Sequence, residues 1–456
     1  MKLTNSNLPL IRIHLINYPM NYKRAFIPSI LLIGVLILSI GFNSNVPAGQ
    51  FNSINLADTA WMLTATALVL IMTPGLAFFY GGMVSKKNVI STMLQSFISM
   101  ALVTVIWVVV GFSLAFGTSI HGVVGDPSTF FMMKGVLDGN PWPLAPTIPL
   151  IIFAFFQLKF AIITPALITG AVAERIRFSS YLVFITLFTL FIYTPLAHAA
   201  WHPDGLLYKW GVLDFAGGTV VHMSAGWAAL ASALYLKNRI EPDHKPARIT
   251  YVMIGTGLLW FGWFGFNAGS AFGANQTAGL ALATTTSASA AAAFTWILLD
   301  IIKGKKPSAM GTCIGAVVGL VAITPSAGFI SIPHSLAVGL ISSFISNMMV
   351  ELRTKTSIDD TLDVFPCHGV GGIAGMLLTG VFASQQLNSA NTTGNGLIFG
   401  ETKLFLIQFA TMIGVSIFSF FGTLLLLWIT NKITPLRVSK EDEEAGLDIS
   451  QHGEKL

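Results

Sequence analysis

Residues 249–299 read ITYVMIGTGLLWFGWFGFNAGSAFGANQTAGLALATTTSASAAAAFTWILL, 51 consecutive positions between Arg248 and Asp300 without one Asp, Glu, Lys or Arg. A helix needs roughly 20 apolar residues to cross the hydrocarbon core of a bilayer, so this run holds two crossings and the turn between them. Pro307 to Val350 is a second such run, of 44 residues. The whole chain carries the same signature: of 456 residues 54% are hydrophobic and 10% charged, against about 25% charged in ordinary globular domains. No soluble fold of 48.9 kDa covers its surface with so few charges. Soluble enzymes, nucleic-acid binders and disordered chains are excluded, and the fold class is an all-α polytopic membrane protein. The net charge of +5 is then a guide to topology, not to an acidic partner.

Eleven spans follow from the apolar runs, at about 57–82, 90–117, 148–173, 178–200, 215–236, 249–272, 278–302, 309–325, 332–351, 364–383 and 403–430. Ahead of them, residues 26–42 (FIPSILLIGVLILSIGF) follow Lys23 and Arg24 and precede the polar run NSNVPAGQ. A basic start, a short apolar core and a small-residue exit describe a secretory signal peptide, with cleavage expected near Ala48; a retained first helix is the alternative. Met20, just before the basic pair, offers a second start. The chain thus divides into an N-terminal extension with signal segment at 1–48, a membrane domain at 49–430 and a tail at 431–456.

Lysine and arginine concentrate in cytoplasmic connections. Seventeen lie in one set of connections and the tail, from Lys86 and Lys87 to Lys455, and only Lys134, Lys209 and Lys403 in the other. The first set is expected in the cytoplasm, with the mature N-terminus outside and the tail inside a plasma (inner) membrane. The first five spans and the next five then form two inverted halves, and the last helix stands outside them. Each half ends in a span with a histidine after an aspartate, Asp214 before His222 and Asp363 before His368. Inverted repeats place a transport path at their interface, near the bilayer midplane. The 43 glycines supply the small faces that let membrane helices approach.

An ionisable group inside a span is a functional candidate by default. His222 and His368 are the deepest of nine histidines by this topology; His222 lies about 12 Å inside its span at the helical rise. A pair of core histidines bonded to backbone is the bland reading, and equivalent placement in the two halves weighs against it. Neutral imidazoles both accept and donate protons without a fixed charge. A second constellation is aromatic: Trp-Phe-Gly-Trp-Phe-Gly-Phe-Asn-Ala-Gly-Ser at 260–270, and Phe155-Phe156-Gln157-Leu158-Lys159-Phe160 in an earlier span. Aromatic faces attract small cations; an interfacial belt is the alternative, but Phe160 and Phe266 do not sit at span ends. Lys159 is charged and about 11 residues into its span. Successive helix positions point about 100° apart, so a pore-facing Phe160 turns Lys159 away, into a protein-buried or snorkelling role. Cys313 and Cys367 read as packing thiols.

Several strings resemble the ammonium transporter family (Amt/Mep, with Rh proteins as distant relatives), its bacterial members most closely: DTAWML…MTPGLAFFYGGMV, FAIITPALITGAVAERIRF, DFAGGTVVHMSAG, WFGWFGFNAGSAF, DDTLDVFPCHGVGGIAG and GLDISQHGE, covering about 57–453. The resemblance implies ammonium recruitment by Phe156, Phe160, Trp201 and Ser270, with Asp214 as a nearby support whose place at a span start also suits a helix cap. It implies a gate of two stacked rings, Phe160 and Phe266, a pore-lining Trp263, and the twin histidines His222 and His368 as proton relay. It further implies a homotrimer with one pore per protomer. Ammonium would shed its proton near the top, ammonia would pass, and the proton would follow the histidines. An ammonium sensor and a passive Rh-like gas channel are the alternatives. Sensors of the family tend to carry a fused signalling domain beyond the tail, and a gas needs no cation site such as Trp201 and Ser270 provide. No catalytic nucleophile, phosphate loop or metal-ligand cluster stands out, so neither an enzyme nor a cofactor is expected. The mixed-charge tail reads either as a disordered solvated end or, by the resemblance, as a segment docked under a neighbouring protomer that couples the pores. A trimeric PII-type signalling protein at the cytoplasmic mouths is the partner implied.

Overall fold

The computed structural model describes residues 22–42, 53–137, 140–242 and 245–456. The chain divides into two units. The described part of the first is one helix, α1 (Tyr22–Gly41). Its apolar stretch Pro28–Gly41 is shorter than the other apolar helices. The expected cleavage point near Ala48, and Met20, lie outside the described residues.

Among its described residues the second unit bundles eleven apolar helices. In order they are α2 (Leu56–Met83), α3 (Val89–Phe116), α4 (Leu150–Val172), α5 (178–201), α6 (Gly218–Leu236), α7 (Ile249–Gly269), α8 (Gln276–Ile302), α9 (Ala309–Ile323), α10 (Ile332–Thr354), α11 (Phe365–Phe382) and α12 (Lys403–Ile433). All are long and apolar enough to cross a membrane except α9, whose crossing is continued by the buried turns at 324–330. Polar caps fix several starts: Asn55 accepts the Ala57 and Asp58 N–H groups, and Asn275, Ser308 and Ser331 do the same for α8, α9 and α10.

Two crossings express the inverted repeat. The first helices of the halves, α2 and α7, run in contact through glycine; a Cβ at Gly255 would stand 2.3 Å from the Phe79 nitrogen. The fifth helices, α6 and α11, meet at Gly226 and Gly369, where a Cβ on Gly226 would fall 2.1 Å from the Gly369 nitrogen. Both α6 and α11 open with a π-helical turn, Gly218–Met223 and Phe365–Gly369, and each turn carries one of the two deep histidines. Helix α12 packs outside, against α6 and α11, and turns Leu406, Phe421 and Leu425 outward.

The expected pairing of Asp214 with Asp363 is corrected. Asp214 precedes His222 and Asp360 precedes His368 by the same eight positions. Each accepts the backbone N–H five residues on, Thr219 at 2.8 Å and Phe365 at 2.7 Å. Asp363 instead meets Arg353 at 2.5 Å. Two equivalent capping carboxylates, not the nearest acid to each histidine, mark the repeat.

At the end where the basic connections gather, Arg239 bridges Glu174 (2.6 Å) and Asp359 (2.9 Å), and the buried Arg175 donates to the Asp359 carbonyl at 2.6 Å. The tail is ordered there on its own chain, as α13 (Lys440–Ala445) and α14 (Leu447–His452). Arg437 pairs with Glu443, which also accepts the Ile240 N–H. Asp448 accepts the Ile90 and Ser91 N–H groups at 3.1 and 2.8 Å, capping α3 from across the sequence. Burial pushes the Asp448 carboxyl above its ordinary range, against the pull of those two donors. The disordered-tail alternative does not hold for this chain.

Candidate functional site

At the end opposite the basic connections, a cavity of about 380 Å³ opens among α4, the end of α5, the start of α6, the end of α7 and the 384–402 connection. Gln157, Phe160, Trp201, Asp214, Ser270 and Asn275 are among its walls. Trp201 ends α5, and its indole N–H donates to the Asp214 carbonyl at 3.0 Å, which fixes the ring against the cavity. Ser270 follows the last turn of α7 and donates its hydroxyl to the Phe266 carbonyl at 2.8 Å. With the proton so committed, the oxygen is left as a pure acceptor.

Asp214 is a wall residue whose carboxylate is fully occupied. It accepts from the backbone N–H of Gly217 (2.8 Å), Gly218 (2.6 Å), Thr219 and Val220, and from the Thr219 hydroxyl. The N-cap position itself belongs to Gly217, at φ +121°, and Asp214 reaches in from three residues earlier. Its negative charge therefore faces helix N–H dipoles before it faces any ion.

The cavity floor is Phe160 over Phe266, with ring centroids 4.2 Å apart and planes inclined by 33°. Phe156 stands one row back: it meets Phe160 edge-on at 5.0 Å and does not line the cavity. It fits there because residue 269 is glycine; a Cβ would come within 2.8 Å of its ring. Of the four residues expected in recruitment, Phe160, Trp201 and Ser270 line the cavity and Phe156 reaches it through its contact with Phe160.

Below the floor is a void of about 10 Å³ bounded by Ile163, Val221, His222, Trp263, Phe266 and His368 among others. That is room for about one water. The two Nδ1 atoms of His222 and His368 lie 3.3 Å apart, and the rings face each other at 5.4 Å and 23°. Trp263 stacks on His222 at 5.3 Å and 18°, held by its N–H to Thr324 Oγ1 at 2.9 Å. A single hydrogen bond between two Nδ1 atoms needs one donor and one acceptor, so the tautomers of the two rings are coupled. His222 Nε2 has no partner among the described residues. A further small chamber continues towards the basic end past Tyr80, Val317, Val364, Cys367 and His368. Cys313 and Cys367 are both free thiols. Among the described residues no group of His, Cys, Asp and Glu could hold a metal ion.

Lys159 is half-buried and directed away from this path, its Nζ 6.0 Å from the centroid of the Phe155 ring, one turn back on α4. The sequence did not name that partner. It also gave no role to Gln157, which lies on the cavity side one turn above Phe160; the three-residue spacing between them was the available signal. The arrangement can hold a small cation against aromatic faces and a hydroxyl, close a dry path beneath it, and pass a proton between two imidazoles.

Residues 60–456 match the model of the Ammonium Transporter Family. The chain is 44% identical over 422 residues to an ammonium transporter of Aquifex aeolicus, covering 92% of this chain and 97% of that protein. Among solved structures it is similar to Saccharomyces cerevisiae Mep2, with a TM-score of 0.80, 33% identity and coverage of 88% and 94% of the two chains. It is also similar to a sensor Amt protein, with a TM-score of 0.78, 29% identity and coverage of 87% and 98%. The chain belongs to the ammonium transporter family.

Proposed function

We propose that this protein carries ammonium across a plasma membrane, with its basic end in the cytoplasm. The observation that carries the reading is the order of parts along one line: a cavity with Trp201 and Ser270, a floor of two phenyl rings, then two imidazoles in contact. Ammonium and potassium have equal charge and similar size, so a field alone does not separate them. Ammonium donates hydrogen bonds and can lose a proton; potassium does neither. A desolvated aromatic face adds up to about 2 kcal/mol for either cation, and the Ser270 oxygen adds a bond that only ammonium makes. Beneath Phe160 and Phe266, an N–H bond of ammonium breaks, ammonia passes as the neutral species, and the proton is taken up by His222 Nε2 and relayed to His368. Homotrimeric assembly, with a PII-type protein at the cytoplasmic mouths, belongs to the same reading.

A sensor role is the second reading, favoured by the likeness to the sensor Amt protein. Purified protein in supported membranes separates them. Ammonium pulses should give a current and potassium pulses none; ammonium binding without current would favour the sensor. Replacing both histidines (His222→Leu with His368→Leu) should cut the ammonium current at least about tenfold, the scale on which general acid–base groups act, or open the path to potassium. A current unchanged in size and selectivity would sink the relay.

A further inference from the structure

We infer that Gln157 is a hydrogen-bonding ligand of the cation held above the phenyl gate, and that it helps choose ammonium over potassium. The inference rests on the ammonium reading above. Three observations lead to it. Gln157 lines the large cavity beside Phe160, Trp201 and Ser270. It is 4% exposed, in a helix that is otherwise almost wholly apolar. Its Oε1 is buried and makes no hydrogen bond among the described residues.

A buried carboxamide oxygen without a partner is uncommon, because leaving it unpaired forfeits the bonds it makes with water in the unfolded chain. Such a group is retained where something else bonds it. The oxygen and nitrogen of a glutamine exchange places by a half-turn of the terminal torsion, and heavy-atom positions do not separate the two orientations. A cation in the cavity selects the orientation with oxygen towards it.

The need for that oxygen comes from counting acceptors. Ammonium has four N–H donors. The aromatic walls offer no lone pair, Asp214 is occupied by four backbone N–H groups and a hydroxyl, and Ser270 Oγ is one acceptor. Gln157, one turn above the Phe160 ring on the same helix face, supplies another at the point where the ion leaves water. Potassium gains less from a single directed carbonyl than it loses from its hydration shell, whereas an N–H donor is matched in direction and number.

The test uses the full chain in detergent and in supported membranes. Thermal shifts are measured with ammonium chloride against potassium chloride at constant ionic strength, a readout that needs no transport. Gln157→Leu should weaken ammonium binding about tenfold and leave the potassium response unchanged, so the ratio falls. Gln157→Glu keeps an acceptor and should bind at least as tightly, with poorer discrimination because a carboxylate attracts either cation. If the leucine variant does not fold, Gln157→Met replaces it. Wild-type ammonium affinity and selectivity in Gln157→Leu or Gln157→Met would overturn the inference. Transport currents kept in the wild type beside that result would leave the ammonium reading standing; binding that depends on Gln157 without any current would leave the ligand role standing and remove the transport reading.

Discussion

Helices α6 and α11 are built by one plan and end in different surroundings. In each, an aspartate eight residues before a histidine accepts the N–H five residues on, a π-helical turn comes next, and the histidine sits in that turn. At α6 both carboxylate oxygens are filled, and a cavity of about 380 Å³ lies against the cap. At α11 one oxygen of Asp360 is bonded, and the other is buried without a hydrogen-bond partner among the described residues; nearby Arg353 is drawn to Asp363. The void recorded on this side, past Val364, Cys367 and His368, is about 10 Å³. The backbone device is therefore repeated, whereas the cavity lined by Trp201, Ser270 and Gln157 lies against the α6 copy. Symmetry supplies two half-helices whose histidines meet. The asymmetry of side chains gives the path an entrance.

The crossing of these helices is the place to break both copies together. Gly226→Val puts a branched side chain where even a Cβ would lie 2.1 Å from the Gly369 nitrogen, and backbone cannot yield as a side-chain tip does. Overpacking of this kind costs about 3 kcal/mol or more, and folded protein should be lost from size-exclusion profiles. The two caps should differ next. Asp214→Ala strands four backbone donors and a hydroxyl and should cost about 3 kcal/mol after partial relaxation, at about 1 kcal/mol for each well-formed buried bond lost. Asp360→Ala removes one hydrogen bond together with a poorly served carboxylate, and should cost about 1 kcal/mol. Unfolding of the two variants in the same detergent compares them directly; equal losses would show that the second oxygen of Asp360 is served after all.

The spans were legible because length and lack of charge decide them, and both are local properties of the chain. The histidines were legible from their depth and their aspartates, although the nearer acid, Asp363, misled: it is drawn to Arg353, and the capping acid stands eight residues before each histidine. Which residues of α4 face the cavity was not legible. That helix is apolar and buried over most of its circumference, so it has no polar face from which to read its rotation. Gln157 on the cavity wall and Phe156 behind Phe160 are placements that only the structure gives. The cap that Asp448 makes on α3 spans more than 350 positions and leaves no local signature.

That third capping aspartate extends the comparison outside the membrane. Asp448 also serves N–H groups at a helix start, two of them, but from a tail held by further polar contacts: Leu447 N–H to Asn88 at 2.7 Å, and Lys87 to the Glu444 carbonyl at 2.8 Å. Asp448→Ala should cost about 1 kcal/mol, as a lost N-cap does, and should act by releasing the tail while the bundle stays folded. Limited proteolysis would then cut 440–456 faster at an unchanged bundle melting temperature. Unchanged cleavage would mean that the other contacts, Arg437 with Glu443 and Leu447 with Asn88 among them, hold the tail without Asp448.

The smallest effect is expected at Lys159, and it sharpens the assignment of faces on α4. Gln157 and Lys159 are two residues apart, so they point about 200° apart around the helix. If Gln157 faces the cavity, Lys159 faces away, and its charge acts on Phe155 rather than on an incoming ion. Such a contact is worth about 0.5–1 kcal/mol, and methionine replaces the aliphatic stem at similar length. Lys159→Met should therefore change stability by less than about 1 kcal/mol and leave the half-saturating ammonium concentration unchanged. A lysine turned into the path would behave otherwise: removing a positive charge from beside the gate would strengthen cation binding severalfold, and more so at low salt, where screening is weakest. A rise in apparent ammonium affinity that fades with added salt would place Lys159 on the pore side, and with it would fall the cavity-facing role of Gln157.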